Sequence, residues 1–285
     1  MSAGWVAGSV RAKALVRRRL GPGAARRLAA CGSLADALRT LAASPYGTSI
    51  RPDQPLAAAQ HEVAGTLLWD LRVLAGWLPR DGVRLLRTLA AWFEMANVDE
   101  LLQAIAGRPA EAEFQLGALA TAWPRLRQAA NHDDLRAALA ASAWRDPGGR
   151  TARAVRLGMR TRWAAWVAEL GDPARTWAAG AAALLVAGEQ SARAATLDEL
   201  AVSLPLRARW VLAGITSPAG LWRAEAAVMS RVEQDGLRLL RTSAPGREAV
   251  LGAVAVMTCD AWRIRAALGL AARAGTPLEA YDELG

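Results

Sequence analysis

The chain has 285 residues, 53% of them hydrophobic, so it can bury a large core, and a predominantly disordered state is excluded. Ala, Leu and Arg dominate while Phe and Tyr number two each, which favours helices over strands and predicts an all-α fold. The net charge of +9 is uneven, because the basic residues between 11 and 27 all precede the first acid, Asp36, so an electrostatic partner is expected at the N-terminal segment.

The first predicted helix begins near Trp5 and reaches Leu20, where Gly21-Pro22-Gly23 stops it. A short helix over 24–30 follows. Ser33 is then a plausible N-cap for a helix over 34–43 that carries Asp36 in its first turn. The apolar stripe expected to face the core of the first helix comprises Trp5, Val6, Val10, Ala14 and Leu20, with Arg11, Arg17 and Arg18 largely away from it.

A long amphipathic helix is predicted next, because apolar residues recur every three or four positions from Val63 to Leu78, and Pro79 closes it. The following segment reads as two helices, over 83–94 and 98–106, with Asn97 as the N-cap of the second. Further helices are predicted over 111–122, 133–143, 151–170, 174–187, 206–213, 218–241, 247–258 and 261–274, with Thr196 a cap candidate and Pro277 the first residue of a last short helix.

One stretch occurs almost twice. Residues 81–88, DGVRLLRT, and residues 235–242, DGLRLLRT, differ only at the third position. A duplicated helical unit and a coincidence in a chain rich in Leu and Arg both explain this match, since the similarity does not extend in register.

The residues needed for common catalytic sites are missing from the sequence, and neither a cofactor nor a metal ion is expected. No G-x-x-x-x-G-K-[ST] motif occurs, and Gly21-Pro22-Gly23 lacks the context of a dinucleotide-binding turn. His61 and His132, the only histidines, belong to no metal-ligand pattern and read as surface or capping residues. Cys31 and Cys259 read as small hydrophobic residues. We therefore predict no catalytic, cofactor-binding or metal-binding residue, and a protein that is not an enzyme.

The location is predicted from what the chain lacks. The longest uncharged apolar stretch, residues 177–188, is too short to cross about 30 Å of hydrocarbon as a helix. Two isolated cysteines suit a reducing cytoplasm, and the Arg-rich start leads into no apolar signal region, although a mitochondrial presequence stays a minor alternative. Most of the twelve tryptophans fall on apolar helix positions, so core packing is favoured over base stacking, and no nucleic acid is expected as a partner.

Several segments together are similar to a known family. Residues 5–15 follow the family's opening of an aromatic residue, a small residue and an Arg-containing helix, with Ser9 in place of the usual Asn. Residues 33–47 are similar to its short leucine helix and the turn after it. Residues 92–102, WFEMANVDELL, resemble its Phe-acid-x-x-Asn-Ile-x-x-Leu-Leu pattern. Residues 260–265 and 275–281 follow the order of its last motifs, with Asp260 for Glu and Arg263 for Asn.

That family is the rotor-collar family of rotary ATPases, the C-type subunits of archaeal and bacterial V/A-type ATPases and their d-type equivalents in vacuolar ATPases. The resemblance implies three similar helical units in a pseudo-threefold funnel, which we divide at residues 1–110, 111–195 and 196–285. It implies a non-catalytic rotor collar in the central stalk, which couples the shaft formed by the D and F subunits to the proteolipid rotor ring during proton or sodium transport. The collar would be cytoplasmic, peripheral on the membrane complex and without a transmembrane segment. We expect Arg11, Arg17, Arg18 and Arg19 to be docking charges.

A second interpretation from the residues alone is a helical scaffold or binding protein that uses its basic N-terminus on nucleic acid or an anionic membrane. The sequence does not distinguish proton from sodium transport, or ATP synthesis from ion pumping.

Overall fold

The regular structure of the protein is helical, as predicted. The computed structural model describes residues 2–191, 204–215, 217–241 and 244–273, without the side chains of 190 and 191, and these residues form eleven α-helices and no strand. The α-helices are α1 (Ala3–Arg17), α2 (Gly21–Ala29), α3 (Leu34–Ala42), α4 (Leu56–Ala75), α5 (Arg80–Ile105), α6 (Trp123–Leu126), α7 (His132–Ala140), α8 (Ala152–Ala168), α9 (Ala174–Ser191), α10 (Leu221–Leu240) and α11 (Arg247–Ala271). Four 3-10 turns accompany them, at Gly47–Ser49, Gly117–Leu119, Leu206–Leu212 and Pro218–Gly220.

The chain divides into two compact units. Unit 1 comprises Met1–Gly82 and Met229–Gly285, and unit 2 comprises Val83–Val228. The boundaries fall within α5 and α10 rather than in loops. The three predicted units are consecutive segments of the sequence, whereas these two units are defined by spatial contacts. The threefold division stays a prediction.

Helix α11 is the centre of unit 1. Helices α1, α2, α3 and α4 all pack against it, so it is buried on nearly every side. Its sequence explains this position, because Ala, Val, Leu and Met fill most of it from Ala249 to Met257 and no proline interrupts it. Glycines allow the closest approach, since a Cβ on Gly252 would lie 2.6 Å from the backbone oxygen of Gly236 in α10.

Unit 2 contains an α8–α9 helix pair, and α9 also packs on the 3-10 turn Leu206–Leu212. Gly171, in the loop after α8, has a φ of 87°, a conformation that favours glycine. The start of α8 is capped by Thr151, whose hydroxyl accepts a hydrogen bond from the Ala154 amide. Ser33 caps α3 in the same way.

The predicted face of α1 is wrong. Val6 and Val10 are exposed, and the side packed against the rest of unit 1 is formed by Gly8, Ser9, Ala12, Leu15 and Val16. The physical reason is close packing: Gly8 lies so near the segment after α4 that a Cβ would be 2.3 Å from Leu78. Small residues allow that approach, and a pattern of large apolar residues does not reveal it.

Three helix predictions also differ from the structure. The helix predicted over 111–122 is wrong, since this stretch is irregular apart from the turn Gly117–Leu119. No break occurs before Asn97, which lies inside α5, or between Thr258 and Ala261, which lie inside α11. His132 is the first residue of α7 and Asn131 is its cap. Thr196 and the predicted final helix at Pro277 lie outside the described residues.

Candidate functional site

The four predicted docking arginines differ in exposure and in their contacts. Arg17 and Arg18 are exposed, whereas Arg11 and Arg19 are partly buried. Arg11 and Arg18 both act on Asp70 of α4: burial raises the pKa of the Asp70 carboxyl, and these two guanidinium groups partly oppose that rise. The Arg19 guanidinium donates to the backbone oxygen of Val16 at 3.2 Å. Their docking role stays a prediction.

A fully buried carboxylate, Asp260, holds three elements of unit 1 together. It lies inside α11 and accepts hydrogen bonds from the amides of Leu20 at 3.0 Å and Gly21 at 2.7 Å and from the Tyr46 hydroxyl at 3.0 Å. Leu20 precedes α2 and has no capping side chain of its own. Asp260 therefore satisfies, from another helix, two amides at the start of α2 that have no acceptor within that helix.

The buried environment also acts on Tyr46. Burial raises the pKa of the Tyr46 phenol well above its usual value, and the negative charge of Asp260 raises it further. The phenol therefore stays protonated and keeps its hydrogen bond to Asp260 throughout the neutral range.

Unit 2 contains the same arrangement around Glu94, a fully buried carboxylate inside α5. Its carboxylate oxygens accept hydrogen bonds from the amides of Thr121 at 2.6 Å and Ala122 at 2.8 Å, and from the indole Nε1 of Trp144 at 2.6 Å. The two amides immediately precede the short helix α6. Glu94 thus satisfies amides at the start of α6 from another helix, as Asp260 does at the start of α2. We call these two clusters, Asp260 with Leu20, Gly21 and Tyr46, and Glu94 with Thr121, Ala122 and Trp144, the carboxylate joints.

The two joints agree in their surroundings as well. Each acid lies near the middle of its helix, of 26 residues for α5 and 25 for α11. In each unit a serine accepts a hydrogen bond at 3.1 Å from the amide of the aromatic residue, Ser44 from Tyr46 and Ser142 from Trp144. The short helices before these serines, α3 and α7, begin at side-chain caps.

The sequences between cap and aromatic residue are similar too. The interval from Ser33 to Tyr46 equals that from Asn131 to Trp144, and an aspartate stands at the same place in both first turns. Both segments end in Leu-Ala-Ala-Ser-x-aromatic, at residues 41–46 and 139–144, and both leucines are fully buried. A segment of about this length is therefore repeated in structure and in sequence.

The near-identical octapeptides are not part of this repeat. Asp81 is exposed in the first turn of α5 and accepts from the indole of Trp5 at 3.2 Å. Asp235 is buried near the end of α10, where Arg231 and Arg238 donate to it. The two copies occupy different positions in their helices, so the structure favours coincidence for this match.

Two further polar side chains tie backbone segments together. Asn97, one turn after Glu94, accepts from the amide of Phe114 at 2.7 Å and donates to its carbonyl at 2.9 Å. Ser9 of α1 exchanges the same kind of hydrogen bonds with Gly246, the residue that precedes α11. In each case a side chain supplies the hydrogen bonds that the backbone amide and carbonyl of an irregular segment do not obtain from other backbone groups.

The potentially reactive residues are dispersed. No group of three or more His, Cys, Asp or Glu suited to a metal ion occurs within the described ranges. His61 lies in α4 and His132 in α7. Burial raises the pKa of the Cys259 thiol, which keeps it protonated and unreactive. The oxygens of Asp260 and Glu94 are occupied by backbone and aromatic donors, an arrangement that holds a structure together rather than moving a proton.

An open cleft of about 440 Å³ lies in unit 2 beside α6. Its polar groups satisfy one another: Glu113 accepts from the Trp123 indole at 3.1 Å and pairs with Arg127 at 3.1 Å. The cleft therefore offers an incoming ligand no uncompensated charge.

The sequence motif at residues 92–102 contains Glu94 and Asn97, but the sequence predicted Asn97 as an N-cap, assigned Glu94 no contact, and gave no sign of Trp144 as a partner. The signal was that Glu94 is the only charged residue in the stretch 88–98 of α5, since an acid buried among apolar residues requires hydrogen-bond donors. No helix in the described part of the chain is long and apolar enough to cross a bilayer. Comparison with known protein families and with curated proteins finds no match to this chain.

Proposed function

We propose that this chain is a non-catalytic rotor collar in the central stalk of a V/A-type rotary ATPase, similar to the C-type subunits of that family. It joins the shaft of the D and F subunits to the proteolipid ring and transmits torque between them during proton or sodium transport. A protein with this task needs rigidity and docking faces, and it needs no substrate pocket.

The observation that carries the proposal is that the segments resembling the family contain the side chains that hydrogen-bond one helix or loop to another. Ser9, Tyr46, Glu94, Asn97 and Asp260 all lie in segments similar to the family, and each makes a hydrogen bond that fixes one helix or loop on another. A motif that served catalysis would instead leave polar groups facing a cavity. These residues make the body stiff, which is the property that torque transmission requires.

The repeated carboxylate joints give a second line of support. A collar built from similar units is expected to reuse one packing solution, and Asp260 and Glu94 accept hydrogen bonds in the same way in two places. With boundaries at 110 and 195, each joint connects two of the three proposed units. The third unit and the pseudo-threefold funnel remain part of the proposal, as do the boundaries at 110 and 195 and the peripheral cytoplasmic location.

Copurification tests the assignment directly. A tagged copy is expressed in the native host, membranes are solubilised in mild detergent, and the ATPase is isolated through a tag on another of its polypeptides. We expect the chain to elute with the D and F subunits and the ring, in a fixed ratio to them. An intact ATPase that lacks this chain contradicts the proposal.

A coupling measurement separates torque transmission from simple attachment. We expect Glu94→Gln to lower ATP-driven ion transport more than ATP hydrolysis, because a softened joint lets the shaft turn without moving the ring. Glu111→Gln is the matched control, since Glu111 is exposed in an irregular segment. Equal loss of transport and hydrolysis in the Glu94 variant, with the complex intact, argues against coupling through this joint.

A further inference from the structure

Helix α1 is apolar on two opposite sides. Its inner side packs in unit 1 through Gly8, Ala12, Leu15 and Val16. On the other side, Val10 is 64% exposed and Val6 is 41% exposed. Ala3 and Ala14 are also exposed and fall on the same stripe, because positions separated by three, four and four residues lie one above another on a helix. We call Ala3, Val6, Val10, Ala14 and Arg17 the outer face of α1.

This face differs from ordinary scattered exposed aliphatic residues. An apolar helix side is normally covered, and the helices that pack most extensively on α1 among the described residues are α4 and α11. The face is a continuous line along a helix of 15 residues, about 22 Å long.

The charges next to the face are positive and uncompensated. Arg17 continues the stripe and Lys13 borders it, and neither has a carboxylate within salt-bridge distance among the residues that the structure describes. No acid occurs in α1 or anywhere before Asp36. Arg11 and Arg18 differ, because they lie toward Asp70 of α4. The outer face therefore combines exposed aliphatic side chains with the exposed Arg17, and it is bordered by the half-buried Lys13.

The chemistry of the partner follows from that combination. A nucleic acid would use the cations and leave Val6 and Val10 in water, since phosphate contacts dominate such binding. An anionic lipid bilayer uses both groups, because aliphatic side chains enter the boundary between headgroups and acyl chains while Lys and Arg bind the headgroups. We propose that the outer face of α1 docks on the surface of an anionic lipid bilayer.

Vesicle flotation of the full chain tests this proposal. The probes are vesicles of phosphatidylcholine alone and vesicles containing 30 mol% phosphatidylserine, on the order of physiological anionic content, at low and physiological salt. We expect binding to the anionic vesicles only, weakened by salt. Lys13→Gln with Arg17→Gln should weaken it about 25-fold, at about fivefold for each cation. Val6→Ser with Val10→Ser should weaken it about tenfold.

Matched controls exclude a general effect of charge or exposure. Arg125→Gln removes an exposed cation in unit 2, and Leu206→Ser removes an aliphatic side chain that is 81% exposed there. Both variants should bind as the wild type does. Circular dichroism melts check that every variant is folded.

Three results overturn the proposal. The first is wild-type protein that does not float with anionic vesicles. The second is equal binding to neutral vesicles. The third is full retention of vesicle binding by the variant with Val6→Ser and Val10→Ser. If duplex DNA then competes with the vesicles for the protein, the face is a nucleic-acid surface. These outcomes are independent of the rotor assignment, because vesicle binding by the isolated chain requires no other ATPase polypeptide.

Discussion

Replacement of Asp260 by asparagine tests whether the carboxylate joint stabilises unit 1. Asparagine keeps the shape but offers one acceptor oxygen and adds an NH₂ donor where Asp260 now receives three donors. The Tyr46 hydroxyl can rotate to accept from the new NH₂, and the oxygen can keep the Gly21 amide. The Leu20 amide then loses its acceptor, and the remaining hydrogen bonds lose their charge.

The cost follows from these losses. One buried donor without an acceptor and the loss of charge in the other contacts together cost about 2–4 kcal/mol. For a chain of this size, that corresponds to a fall in Tm of roughly 3–7 °C. Urea titration and thermal melts followed by circular dichroism measure the change. Hydrogen exchange of the α2 amides should accelerate as well, because Asp260 anchors the first turn of that helix.

A surface substitution provides the reference. Asp53→Asn affects a side chain that is 86% exposed and should change the free energy of unfolding by less than about 0.5 kcal/mol. If Asp260→Asn also stays within that range while the protein is folded, the hydrogen bonds of this joint contribute little, and the argument that it stiffens the protein fails.

Three other predictions test the same structural reasoning. Glu94→Gln should cost about 2–4 kcal/mol by the argument used for Asp260, measured by the same melts. Since the pKa of Tyr46 is raised in the folded state, the unfolded chain loses this proton first, so the free energy of unfolding should fall as the pH rises above about 10. Tyr46→Phe should lower stability at neutral pH but make that alkaline fall smaller, as measured by urea titrations at several pH values. Gly252→Ala should cost about 1–3 kcal/mol, because its Cβ would meet a backbone oxygen of α10, whereas Gly188→Ala, with open space around it, should stabilise α9 by up to about 1 kcal/mol.

Local chemistry was sufficient for part of the fold. The all-α class followed from composition, and the cap at Ser33 followed from a hydroxyl residue standing before an apolar periodic segment. These features depend on interactions within a few residues, and such interactions are visible in one sequence.

Residues with two plausible local roles were assigned incorrectly. Asn97 suits an N-cap, yet it lies inside α5 because its amide group satisfies the backbone of Phe114. The segment 111–122 contains good helix formers, yet it is mostly irregular because Asn97 and Glu94 hold its amides from α5. These hydrogen bonds to residues distant in sequence outweigh intrinsic helix propensity, which is worth only tenths of a kcal/mol per residue.

The carboxylate joints show which features the sequence determines and which depend on the tertiary structure. The sequence by itself determined that the chain forms helices, and that Glu94 and Asp260 are each the only charged residue in a stretch of mostly apolar residues, 88–98 and 249–262. Only the tertiary structure decided that each acid meets two backbone amides and one aromatic donor. It also decided that the exposed side of α1 carries Val6 and Val10. The physical reason is that a buried charge requires donors from wherever the chain folds back, and a small-residue helix face is defined by the neighbour that approaches it.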